Sequence, residues 1–422
     1  MLKKFTPRYY ITFITVAWGI IATLTGMTQS YGGLIACRLL LGVMEASLFP
    51  GLAVYLTFFY TKSELALRIG YLFVSAALAG ACGGLLAYAI GFMDGVSGLR
   101  GWRWILILEG IPTVLMGVAT FFTLADEPDT AWFLTPEERK FSVARLSRGA
   151  ENTASARKFH WADVRRCFTD WKCWAFAFGL FGMDTMLYGY STFLPTIIKS
   201  IGGGRWSTAR VQALTIPCYA LGAITYLVVA RLSDAHGMRA AYTIGFAAVS
   251  VVGYGLLLAD VSPGVHYFGC FLVAMGLYVA VGLPLAWLPN NSPRYGKRTA
   301  ATGMQLMFGN AAGVMAPFLY SNTGAPRYIK GHAVSLAMVG FGALCYGLLW
   351  WTYARLNRER MAGKHDWKIE GMSEEEIREL GDESYVHYPA TAVKTDANVD
   401  ADPDIGIRYR GECYCTYCDV CL

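Results

Sequence analysis

Four ionisable side chains stand well inside long apolar stretches of this 422-residue chain: Arg38, Glu45, Glu109 and Asp184. A charge at the centre of a bilayer costs about 2.5–3.5 kcal/mol on insertion scales, so such residues face a cavity or a partner. Arg38 and Glu45 are seven positions apart. On an α-helix that spacing falls about 20° short of two full turns, which puts both on one face, with a rise of roughly 10 Å between them. A guanidinium at one depth suits an anion, because its planar fork pairs bidentately with a carboxylate. A carboxyl group at the other depth can hold and release a proton, since burial opposes ionisation. The competing reading is that both charges pair with other helices and fix packing. For Glu109 a structural ion pair with Arg103 or Arg38 is expected. Asp184 has Tyr188 one turn away and Tyr190 nearby, which suits contact with a substrate or proton, or a local hydrogen bond. Asn310 is a polar candidate for substrate contact, or else for bonding between helices.

The elements that must position these residues are long helices. The chain is 55% hydrophobic and only 16% charged, well under the roughly 25% charged residues of a soluble domain. Ten apolar runs reach the length that spans a bilayer: Tyr9–Thr28, Tyr31–Tyr60, Ile69–Met93, Trp104–Ala125, Cys173–Ile198, Val211–Ala230, Ala240–Ala259, Tyr267–Leu288, Thr299–Tyr320 and Ala333–Ala354. Lipid offers backbone groups no water, so each run is predicted to be helical. The net charge of +6 is no nucleic-acid signal, because the basic residues sit at the ends of the runs. With the N-terminus in the cytosol, the short inner segments carry about twice the Lys and Arg of the outer loops, which places both termini inside. The first run is too long, and lacks the small-residue cleavage site, to be a removable signal peptide.

Four spans make up residues 1–125. A polar linker covers 126–172, six more spans cover 173–355, and a polar tail covers 356–422. In the linker, Thr135, Pro136 and Glu138 form a helix-start signature with a capping box. Ser373 and Glu376 offer another in the tail, which is otherwise expected to be largely disordered. The small residues of AALAGACGG (Ala76–Gly84) suit close helix packing.

Several motifs then carry a resemblance. RLLLGVMEASLFPG, with Arg38, Gly42, Glu45, Ala46, Pro50 and Gly51 in place, resembles the fourth-helix motif of the major facilitator superfamily. ARLSDAHGMR, with Ser233, Asp234, Gly237 and Arg239, is similar to its conserved inner-loop motif. LRGWRWILILEGIPT, STFLPTII and GNAAGVMAPFLY resemble the sixth, seventh and eleventh helices of the fungal anion:cation symporters grouped with allantoate and nicotinate permeases. The resemblance implies an all-α major facilitator fold of two pseudo-symmetric bundles. The ten spans would match family helices three to twelve, with the first bundle truncated by two helices. It implies that Arg38 contacts a substrate carboxylate, that Glu45 couples protons, and that Asp234 and Arg239 latch one conformation in a gating role.

The expected function is proton-coupled transport of a small organic anion, a carboxylate, vitamin or ureide-like metabolite, by alternating access. Arg38, Asp184, Tyr188 and Asn310 would contact the substrate. The alternative is a truncated, non-transporting or sensor-like membrane protein. No nucleophile, metal set or phosphate loop points to an enzyme or a cofactor. The expected partners are the anion, the proton and the bilayer, and the expected form is a monomer in the plasma membrane. Cys413, Cys415, Cys418 and Cys421 close the chain; an altered reading frame or species-specific extension is preferred to a zinc site for them.

Overall fold

The computed structural model describes residues 6–60, 65–147, 160–292, 294–320, 324–325, 327–362 and 364. The tail signature at Ser373 and the four terminal cysteines lie outside these residues. Among the described residues every regular element is helical. The order is α1 (Pro7–Met27), α2 (Tyr31–Phe59), α3 (Leu65–Gly91), α4 (Gly101–Thr123), α5 (Pro136–Ser147), α6 (Trp161–Thr169), α7 (Trp171–Ile201), α8 (Thr208–His236), α9 (Arg239–Leu258), α10 (Pro263–Asn290), α11 (Tyr295–Leu319) and α12 (Ile329–Met361).

Ten of these helices coincide with the ten apolar runs. Seven of them, α1, α3, α4, α8, α9, α10 and α12, are long and apolar enough to cross a membrane by length and composition. The other three, α2, α7 and α11, carry the polar candidates Arg38, Glu45, Asp184 and Asn310. The two short helices fall in the linker. At α5 the capping box forms as expected: the Thr135 amide donates to Glu138 Oε2 at 2.8 Å, and the Glu138 amide donates to Thr135 Oγ1 at 3.3 Å.

Packing divides the described chain into two units. One takes its residues from 6–60, 75–147 and 193–220, and the other from 65–74, 160–192 and 221 onward. In the first unit α1 packs on α2 and α4; in the second α9 packs on α10 and α12. Each unit thus repeats one neighbour pattern, a helix against the next and the third after it, as internally duplicated transport folds do. Glycines set how near the helices come. A β-carbon at Gly19 of α1 would stand 2.8 Å from the Val114 backbone nitrogen of α4, and one at Gly253 of α9 would stand 2.8 Å from that of Val273 in α10. Backbones this close suit helices in lipid, where packing replaces the hydrophobic driving force. In the Ala76–Gly84 stretch, Gly80 receives the Tyr219 ring and Gly84 the Gln212 side chain, both from α8. Close packing is therefore what Gly80 and Gly84 do, whereas Gly83 has nothing within 4 Å of its β-carbon position.

Candidate functional site

In the first unit, α2 runs unbroken through Tyr31–Phe59, so the seven-residue spacing does place Arg38 and Glu45 on one face. Both are exposed. Gly42, between them, has nothing within 4 Å of where a β-carbon would stand, and Leu39 and Val43 beside it are exposed. Among the described residues neither charge joins an ion pair. Glu109 on α4 is also exposed. Here the structure corrects an expectation: among the described residues Glu109 does not pair with Arg103. Six residues on one helix put the two side chains about 120° apart, too far round to meet. The Arg103 guanidinium lies instead over the Trp102 ring, 5.3 Å from its centroid.

The other candidates belong to the second unit. Tyr188 of α7 donates its hydroxyl to Asn310 Oδ1 of α11 at 2.6 Å. Gly313, one turn further along α11, leaves room for the Tyr188 ring, whose carbons lie 3.4 Å from a β-carbon position there. Asp184, one turn before Tyr188, is buried among Leu180, Gly309 and its own helix. Tyr190 does not join this group; its hydroxyl donates to the Cys270 carbonyl of α10 at 2.8 Å.

The inner-loop motif folds as a compact charged knot. Gly237, at φ +67°, turns the chain from α8 into α9, a left-handed position that glycine adopts without cost. The turn brings Arg239 back to Asp234, with a guanidinium nitrogen 3.3 Å from Oδ1. Arg239 also donates to the Ala286 carbonyl at 2.6 Å. Asp234 Oδ2 accepts from the Leu67 amide in the first turn of α3 at 3.1 Å, where the helix dipole favours a negative charge.

Two ion pairs were not foreseen. Asp163 of α6 meets Arg294 at 2.9 Å, and Asp170, between α6 and α7, meets Lys297 at 2.8 Å. Both basic residues stand at the start of α11. The signal in the sequence is indirect: α6, WADVRRCFT, mixes Asp163, Arg165 and Arg166 with apolar residues, which marks an amphipathic helix without naming its partner.

Ten long helices, an exposed Arg–Glu face on one of them, and polar groups on two others define a multi-pass membrane protein of the solute-transporting kind. The Major Facilitator Superfamily pattern matches residues 1–317, and the chain belongs to that superfamily. It is 42% identical over 341 residues to an uncharacterized transporter of Schizosaccharomyces pombe, covering 80% of this chain and 67% of that one. It is 33% identical over 365 residues to the high-affinity nicotinic acid transporter of Saccharomyces cerevisiae, covering 86% of this chain and 67% of that one. Among solved structures, a proton:xylose symporter of the superfamily aligns with a TM-score of 0.60 at 14% identity, over 81% of this chain and 79% of its own. That likeness is one of fold.

Proposed function

We propose that this protein carries a small organic anion across the plasma membrane together with a proton, by alternating access, with both termini in the cytosol. The carrying observation is the open face of α2, where Arg38 and Glu45 stand within an otherwise apolar helix and pair with no described residue. An unpaired guanidinium at membrane depth calls for an anion, and a carboxylate fits its fork. Glu45 carries the coupled proton. On the second unit, Tyr188 and Asn310 offer a hydroxyl and an amide to the same class of substrate, and Asp184 supports them from within the bundle. The gating role goes to Asp234 and Arg239. A carboxylate substrate is supported by the relative named for nicotinic acid.

The test is uptake of labelled carboxylates, nicotinate and ureides included, in cells expressing the chain. Uptake should rise as outside pH falls. Arg38→Ala should reduce it at least tenfold, about the effect of losing 1.4 kcal/mol of binding. Glu45→Gln should leave uptake insensitive to pH. Unchanged pH dependence in Glu45→Gln would remove Glu45 from the coupling, and undiminished uptake in Arg38→Ala would remove Arg38 from the site.

A further inference from the structure

Asp184 differs from the other intramembrane acids in its surroundings. Glu45 and Glu109 are exposed, whereas Asp184 is 4% exposed and its Oδ1 is buried without a hydrogen-bond partner. Its Oδ2 lies against the bare backbone of Gly309 in α11; a β-carbon at 309 would overlap that oxygen and meet Leu180 Cδ2 at 2.8 Å. Two more buried polar atoms in the same unit lack a hydrogen bond, Gln305 Oε1 of α11 and the Tyr346 hydroxyl of α12. Tyr346 neighbours Gln305 and lies within electrostatic reach of Asp184. The Gln305 amide nitrogen is turned to the Pro284 carbonyl of α10 at 3.4 Å, and its side chain lies beside that of Tyr346.

Unpaired buried polar groups are rare in folded proteins, and each calls for a water, an ion or a role. The titratable groups that face Asp184 are few. Tyr346 comes from α12, with Cys345 beside it. From α11 comes Gly309, which does not ionise. Among the described residues no lysine, arginine or histidine forms an ion pair with it. A carboxylate stripped of water and given no cation is far less stable than the neutral acid. A bound metal cation fits poorly, because hard cations gather several oxygen ligands, and here Leu180 and the Gly309 backbone press one carboxylate oxygen against carbon.

We propose that Asp184 is a proton-binding site enclosed by α7, α11 and α12, with Tyr346 as its polar neighbour and no direct contact with substrate. It is distinct from the Arg38–Glu45 face, which belongs to the other packing unit. Loss of the proton leaves a charge that this enclosure does not tolerate, so the anionic form favours a conformation in which water reaches α7. Its bearing on the transport cycle, beside the coupled proton assigned to Glu45, rests on the transport reading above; the chemistry of the site does not.

The experiment is infrared spectroscopy of the full chain, purified in detergent at neutral pH. The carbonyl stretch of a protonated carboxylic acid should be present, should shift in heavy water, and should be lost in Asp184→Asn. Glu45→Gln should retain it. Tyr346→Phe should keep the band but move its frequency, since Tyr346 lies within electrostatic reach of Asp184, and this variant carries the test should Asp184→Asn fail to fold. A wild type without the band, a band that survives Asp184→Asn, or one abolished by sodium chloride at constant pH would overturn the proposal. If the band behaves as expected but no carboxylate is taken up, the site stands and the transport reading falls.

Discussion

Arg239 is 6% exposed, and its surroundings show how one buried guanidinium is made tolerable. It has a carbonyl from α10, Ala286, and a carboxylate from α8, Asp234, whose second oxygen is held by the first turn of α3. Breaking a buried pair costs about 3–5 kcal/mol when the remaining charge has no other support. Arg239 retains the Ala286 carbonyl, so Asp234→Asn is expected to destabilise by less than that, about 2 kcal/mol as for one hydrogen bond to a charged group, read as a lower melting temperature in detergent. Arg239→Lys should not substitute, because a single ammonium lacks the planar fork that reaches both partners. A melting temperature unchanged in Asp234→Asn would show that the knot adds nothing to stability. Much of this was legible in the residues. The motif ARLSDAHGMR and its glycine announce a turn that joins an acid to a base. The recipient of the acid's second oxygen was not legible, because Leu67 lies 167 positions away and offers only a backbone amide, which every residue has.

Between helices, glycine position decides what a substitution does. On α7 and α12, Gly182 would place a β-carbon 2.5 Å from the Met338 carbonyl oxygen and 3.0 Å from the Gly342 nitrogen, while Gly342 faces the Gly179 carbonyl at 2.8 Å. The two helices meet backbone to backbone along this edge. Gly340, on the same helix α12, has nothing within 4 Å of its β-carbon position. Gly182→Ala should therefore push α7 from α12 and lower the melting temperature. Gly340→Ala should be neutral or stabilising by up to about 1 kcal/mol, through helix propensity alone. Equal effects from the two would mean that the close approach does not matter to stability. The helices themselves were readable from ten apolar runs, and the α5 start from a capping box, because both signals are local. The expected Glu109–Arg103 pair fails for a local reason too: six residues on one helix set the two side chains about 120° apart. Which glycine meets which backbone depends on tertiary pairing, and a single sequence carries no such record.

At the scale of the molecule, the linker is fastened at its far end. Asp163 and Asp170 tie α6 and the start of α7 to Arg294 and Lys297 at the start of α11, and Gly296 leaves space for the Asp163 side chain. Burial pushes the Asp170 carboxyl up, but the charges of Lys172 and Lys297 outweigh it and hold the group below the usual carboxylate range. The sign of the pH effect follows. A carboxylate depressed by folding contributes its full stability above its unfolded value and loses it as pH falls through the folded one. The fastening should therefore persist at neutral and mildly acidic pH and loosen only in stronger acid. A spin label at the exposed Ala162 of α6 reads this directly. In the wild type its motion should stay restricted down to the ordinary carboxylate range and increase below it. Asp163→Asn with Asp170→Asn should release it already at pH 7, and exchanging the charges, Asp170→Lys with Lys297→Asp, should restore the restriction that Asp170→Lys alone removes. Identical spectra in all variants would show that α6 is held by its apolar face, not by its two aspartates.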